Sequence, residues 1–175
     1  RDEKPRMVPA FVYRPPDKKK WPGPHPVIIH VHGGPEGQYQ PAFSKNTQMW
    51  VAELGAAVIA PNIRGSTGYG RSFARLDDVG KRLDSVKDLT AAAQWMVAQG
   101  IAEPGRIAVS GGSDGGYMTL AALAFDPGTW ACGVDIVPGV EISCAVNGIS
   151  LHLLGYWPDR TNPELATELL LNRDD

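Results

Sequence analysis

The sequence predicts an α/β fold, a parallel sheet with helices on its faces. Three observations carry that expectation. Short β-branched runs recur along the chain, helical stretches separate them, and Gly- or Pro-containing turns mark the joins. Strands alternating with helices imply βαβ units and parallel pairing. The pattern breaks after residue 137, where two runs of alternating hydrophobicity flank Asn147-Gly148.

Residues 7–13 (MVPAFVY) read as an edge strand, because Pro9 has no N–H to give a central ladder. Residues 14–26 form a polar, Pro-rich loop, and its Lys18, Lys19 and Lys20 read as a solvated turn. Residues 26–32 (PVIIHVH) suit a strand buried on both faces. After the loop His32-Gly33-Gly34-Pro35, the apolar Phe43, Trp50, Val51 and Leu54 mark a helix that stops at Gly55. Residues 56–60 (AAVIA) form a second buried strand, followed by the turn-rich 62–70 (NIRGSTGYG).

Ser85 and Asp88 have the spacing of a capping box. Val86, Leu89, Ala93 and Met96 then recur on one helical face, which ends at Gly100. Residues 106–110 are a third strand, 115–125 an apolar helix and 133–137 a fourth strand. Beyond them, Val140, Ile142, Cys144 and Val146 alternate, as do Ile149, Leu151 and Leu153. An Asn-Gly pair between such runs predicts an antiparallel hairpin, because a type I′ turn needs two residues with φ > 0. Residues 163–172 (PELATELLLN) read as a last short helix with Pro163 in its first turn.

The 175 residues allow one domain with a sizeable core. A net charge of −2 argues against nucleic acid or an anionic membrane as partner. No apolar run reaches the ~18 residues of a membrane span. Cys132 and Cys144 fit neither a disulfide framework nor a zinc pattern and read as reduced thiols. The charged opening, residues 1–6, has no signal-peptide core and no initiating Met. The expectation is a cytoplasmic segment of a longer protein, with no cofactor.

Gly111-Gly112-Ser113-Asp114-Gly115 fits G-x-S-x-G, the nucleophile elbow of α/β-hydrolases. Its serine sits on a strained strand-to-helix turn, where side chains two positions away on either side would clash. The next helix points its N-terminus at the reacting oxygen. The loop His32-Gly33-Gly34-Pro35 follows the first buried strand, where an oxyanion-hole loop belongs. The expected fold is thus a truncated α/β-hydrolase core with parallel sheet and flanking helices, plus a C-terminal β-hairpin and short helix.

On these residues the chain resembles the prolyl oligopeptidase family of serine peptidases. The resemblance rests on HGGPEGQ (32–38), PNIRGSTGYG (61–70), DSVKDL (84–89), GGSDGGYM (111–118) and GVDIV (133–137). It implies a peptidase catalytic domain over residues 1–137 that acts on a peptide or small ester. It further implies Ser113 as catalytic nucleophile and an oxyanion hole from the backbone N–H groups of Gly34, Gly33 and Asp114. The family usually carries an aromatic residue where this chain has Asp114. A carboxylate there should oppose a developing oxyanion and weaken acyl transfer.

In this fold the triad acid and base follow the nucleophile along the chain. They are expected ~60 residues past Val137, at ~30 residues per βαβ unit. Only 38 residues remain, and His152 is the sole histidine after Ser113. His25, His30 and His32 precede it and read as structural. Without a base Ser113 is a weak nucleophile, so the chain alone is expected to be inactive or very weak.

Residues 138–175 resemble a different family. VPGVEIS (137–143) and ISLHLLGYWPD (149–159) are similar to the polymerase-and-histidinol-phosphatase (PHP) family of metal-dependent phosphoesterases. That resemblance offers Glu141 and His152 as weak metal-ligand candidates, of types that suit Zn or Mn. It implies a chimera of a hydrolase core and a hairpin-and-helix fragment. Three readings follow: an incomplete serine hydrolase, a metal-dependent phosphoesterase fragment, and a non-catalytic scaffold. An open sheet edge after the fourth parallel strand would suit a homo-oligomer.

Overall fold

The structure, a computed structural model, describes residues 7–34, 36–135, 139–146 and 149–156. The chain divides into two compact units, Arg1–Ile136 and Val137–Asp175.

The first unit holds a five-stranded sheet in the order β1-β3-β2-β4-β5. Its strands are β1 (Ala10–Tyr13), β2 (His25–Val31), β3 (Ala57–Pro61), β4 (Ala102–Gly111) and β5 (Cys132–Asp135). β3, β2, β4 and β5 are parallel, as the alternation of strand and helix requires. The sheet is nonetheless mixed, because β1 runs antiparallel to β3, Ala10 opposite Pro61 and Tyr13 opposite Val58. β1 is an edge strand, as Pro9 demands, and begins just beyond that proline.

Val27, Ile29 and Val31 of β2 pack with Ile59, Ile107 and Val109 of its neighbours. Helix α3 (Arg82–Ala98) lays Val86, Leu89, Ala93 and Met96 on this sheet, the face its periodicity predicts. It stops before Gly100, whose φ of +66° lies in the left-handed region. Helix α4 (Asp114–Phe125) adds Met118, Ala121 and Ala122 to the same core.

Two local expectations differ. α3 begins at Arg82, so Ser85 and Asp88 lie inside the helix and form no capping box. Both are buried, and Asp88 binds Arg64 instead of a helix end. The first helix is short. α1 (Lys45–Gln48), capped by the Ser44 side chain, widens into a π-helical turn at Met49–Glu53. Val51 is buried there, but Phe43 and Leu54 are exposed and do not belong to a core face. A further short helix, α2 (Arg71–Ala74), and a 3₁₀ turn (Val79–Lys81) precede α3.

In the second unit β6 (Gly139–Val146) and β7 (Ile149–Tyr156) pair antiparallel, with Val146 opposite Ile149. That register suits a two-residue connection. The Asn147-Gly148 pair and the helix expected over 163–172 lie outside the described residues.

Candidate active site

The chain moves from β2 to β3 on one side and then crosses to β4 on the other. The strand order therefore reverses between β2 and β4. In open α/β sheets the crevice at the carboxyl ends of two such strands is where ligands bind. Val31 at the end of β2 pairs with Gly111 at the end of β4. The His32 loop and the Ser113 turn thus leave the sheet side by side.

Ser113 has φ 56° and ψ −124°. A non-glycine residue in this region costs roughly 1–3 kcal/mol and persists only where its surroundings enforce it. Two glycines enforce it here. A Cβ on Gly111 would lie 2.5 Å from the Gly115 backbone, and one on Gly115 would lie 2.5 Å from the Val31 carbonyl oxygen. Gly112 faces open space. The Ser113 side chain makes no capping bond to α4, although it occupies the N-cap position. Ser113 is thus the last residue before the helix, and the Gly116 and Tyr117 N–H groups of the first turn donate to its carbonyl at 2.9 and 3.2 Å.

The His32 loop abuts this turn. A Cβ on Gly33 would lie 3.4 Å from Ser113 Cβ and 3.8 Å from Ser113 Oγ. Gly34 has φ +145°, and a Cβ there would meet the amide nitrogens of Glu36 and Gly37 at 2.6 and 2.7 Å. Only glycine fits so tight a turn. The Gly33 carbonyl accepts from His32 Nδ1 at 2.8 Å, which fixes that ring nitrogen as a protonated one. The C=O and N–H of a trans peptide point in opposite directions. With its carbonyl tied to His32, the Gly33–Gly34 peptide turns its N–H the other way.

His32 is held in turn by residues 62–69, the turn-rich stretch of the sequence. Its Nε2 lies 2.8 Å from Ser66 Oγ, which also lies 2.6 Å from the Ile63 carbonyl oxygen. Asn62, fully buried, accepts from the Tyr39 N–H at 2.6 Å and donates to the Tyr39 carbonyl at 3.1 Å. The Thr67 N–H donates to the Gly37 carbonyl at 2.9 Å. This loop is a brace for the glycine loop, a role that composition alone does not reveal.

Arg82 is the other residue that sequence reasoning missed. Its guanidinium donates to Asp77 Oδ2 at 2.8 Å and to Asp114 Oδ1, and its Cζ lies 5.2 Å from the Tyr117 ring centre. The Asp114 carboxylate is therefore ion-paired, not free beside Ser113. Arg82 lies 32 residues before Asp114, and no spacing rule links them.

The three early histidines have structural surroundings. His30 stacks edge-on against Trp50, and burial lowers its pKa despite an opposing backbone hydrogen bond at Ser110. Burial also lowers that of His25. Among the described residues no histidine or carboxylate hydrogen-bonds the Ser113 hydroxyl. Glu141 lies on β6 opposite Leu154, and His152 on β7 opposite Ser143. Among the described residues no group of three or more His, Cys, Asp or Glu could hold a metal ion. No described helix is long and apolar enough to cross a membrane.

Known proteins are similar to this chain. Dipeptidyl aminopeptidase BIII of Pseudoxanthomonas mexicana is 44% identical over 117 residues, covering 65% of this chain and 16% of that protein. Dipeptidyl peptidase family member 6 of Caenorhabditis elegans is 40% identical over 138 residues, 78% of this chain and 18% of that protein. The chain thus spans less than a fifth of the length of these relatives. A prolyl endopeptidase structure superposes with a TM-score of 0.65 at 29% identity, covering 72% of this chain and 18% of that one. A puromycin-hydrolysing peptidase of Mycobacterium tuberculosis gives 0.62 at 34% identity, covering 74% and 20%. The prolyl oligopeptidase family profile matches residues 41–164, running through the elbow and on across β6 and β7. With that match over more than half its length, the chain belongs to the prolyl oligopeptidase family.

Proposed function

We propose that this chain carries the nucleophile and oxyanion hole of a serine peptidase, with Ser113 accepting the acyl group of a peptide or small ester. The observation that carries the reading is the strained Ser113 turn, so close to the facing loop that a Cβ on Gly33 would lie 3.4 Å from Ser113 Cβ. Family membership and peptidase relatives support it.

Ser113 Oγ gives up its proton to a base and attacks the substrate carbonyl, whose oxygen gains negative charge; collapse of the intermediate then breaks the bond to the amine or alcohol, which leaves with a proton. The backbone N–H groups of Gly34 and Asp114 donate to that oxygen, with the Gly33 N–H near them. Such donors, fixed in advance, are worth about 10²–10³ in kcat each. His32 keeps the Gly33 carbonyl turned away, so the hole needs no rearrangement when charge develops. The acid and base of the triad are not assigned to any residue here. His25, His30 and His32 are committed to structural contacts, and the chain alone therefore turns over slowly.

We read the β6–β7 hairpin as part of the same family segment, because the family match continues through residue 164. The metal-phosphoesterase reading of Glu141 and His152 rests on motif likeness only. A cytoplasmic setting fits the two-cysteine composition.

The test is labelling with a neutral fluorophosphonate, with the adduct located by peptide mass spectrometry. Slow, stoichiometric modification at Ser113, lost in Ser113→Ala, is the expected result. Modification that is absent, or that persists in Ser113→Ala, refutes the reading.

A further inference from the structure

Asp114 poses an electrostatic problem for the proposed chemistry. Its backbone N–H belongs to the oxyanion hole, while its side chain brings a negative charge to the first turn of α4. The structure supplies an answer from a distant element. Arg82, the first residue of α3, places its guanidinium between Asp77 and Asp114 and over the Tyr117 ring. All three acidic and basic side chains are mostly shielded, with relative exposures of 21% for Arg82, 5% for Asp77 and 15% for Asp114. Gly65 is the close neighbour that lets Asp77 sit there, since a Cβ on it would strike the Asp77 carboxylate. Separate stretches of the chain therefore converge on one guanidinium.

We propose that Arg82 is a positioning residue for acyl transfer: it ties the Asp114 carboxylate down and offsets part of its charge beside the oxyanion site. The inference rests on the acyl-transfer reading of Ser113. It answers a question that reading leaves open, namely how an acidic residue is tolerated next to the nucleophile. A planar guanidinium reaches two carboxylates and stacks on a ring at once, which a lysine ammonium does not do. An unscreened carboxylate on the residue that follows Ser113 repels a developing oxyanion and should slow the reaction about tenfold.

The experiment measures the maximal rate and half-saturation of Ser113 labelling by a neutral fluorophosphonate. It compares the parent chain with Arg82→Gln, Arg82→Lys, Asp114→Asn and the double variant Arg82→Gln/Asp114→Asn. Thermal melts confirm that each is folded. Arg82→Gln should label about tenfold more slowly, with half-saturation unchanged, and its rate should rise with salt as the bare carboxylate is screened. Arg82→Lys, which keeps the charge, should lose less. The double variant should recover most of the rate, because the carboxylate on the residue next to Ser113 is gone, although Asp77 keeps its own.

A merely structural Arg82 predicts the same loss with or without the Asp114 carboxylate, and that result overturns the inference. Equal losses in Arg82→Gln and Arg82→Lys, with no salt response, overturn it too. Should Arg82→Gln fail to fold, Arg82→Lys alone and in the Asp114→Asn background makes the same comparison. A parent chain that is not labelled at Ser113 overturns the acyl-transfer reading, and this inference with it. Labelling of the parent without the rescue overturns this inference alone.

Discussion

The elbow makes a sharp prediction about two neighbouring glycines. A Cβ added at Gly115 would lie 2.5 Å from the Val31 carbonyl oxygen and 3.0 Å from that of His32. Ordinary contact begins near 3.4 Å, so α4 must withdraw from β2 by about 0.9 Å. Both obstacles are backbone, and neither can rotate away. Overpacking of this kind costs about 1–3 kcal/mol. Helix propensity gives back about 0.5–1 kcal/mol for Gly→Ala. The net loss for Gly115→Ala is about 1 kcal/mol, or roughly 4–5 °C in Tm for a unit of this size. The same movement carries Ser113 away from the Gly33 loop and should slow its labelling about 10²-fold. Gly112→Ala is the control, since its Cβ would meet nothing within 4 Å. It should leave Tm within about 2 °C. Thermal melts by circular dichroism check both variants. A Gly115→Ala protein as stable as the parent, or a Gly112→Ala protein equally weakened, refutes the reasoning.

Other perturbations give equally definite outcomes. Asp88→Ala removes the buried acceptor of the Arg64 backbone N–H and guanidinium and should cost about 3 kcal/mol in urea unfolding. Leu89→Ala, at a fully buried site, should cost about 2–5 kcal/mol, whereas Leu120→Ala on the exposed face of α4 should stay within about 0.5 kcal/mol. His30 should make stability depend on pH. Its folded pKa lies below the ordinary 6.5, so the unfolded chain takes up the proton more readily. Stability is then full above that value and falls as pH drops through the lower folded pKa, and His30→Gln should flatten the profile. His25 shifts the same way, and His25→Gln is the companion measurement.

Much of this molecule is legible in its residues, and the legible parts share a cause. The parallel strands announce themselves because burial favours short apolar runs, as in residues 57–61, all of them buried. The elbow is readable because its sterics leave so few choices at 111 and 115. Helix starts are harder. Ser85 and Asp88 mimic a cap, but α3 has already begun at Arg82, and tertiary contacts hold Asp88. The antiparallel sense of β1 is not readable, because a single short strand carries no direction in its pattern. Phe43 reads as a core residue and is exposed, since a hydrophobic count without the π-helical turn misplaces the buried face. Ion pairs such as Arg82–Asp114 depend on where two helices cross, which no local pattern encodes.

The pairing of Val31 with Gly111 has a consequence for how the site comes into being. Ser113 and the glycine loop each lie two or three residues past the end of a neighbouring strand, so one ladder of backbone bonds sets the distance between them. A slip of one residue in that ladder would displace one partner by about 3.3 Å and turn its strand's side chains to the wrong face. Assembly of the Ser113 site is therefore the same event as correct strand pairing. A misregistered chain is penalised first by its hydrophobic core, long before any substrate arrives. Proofreading of the Ser113 site is in this sense delegated to folding.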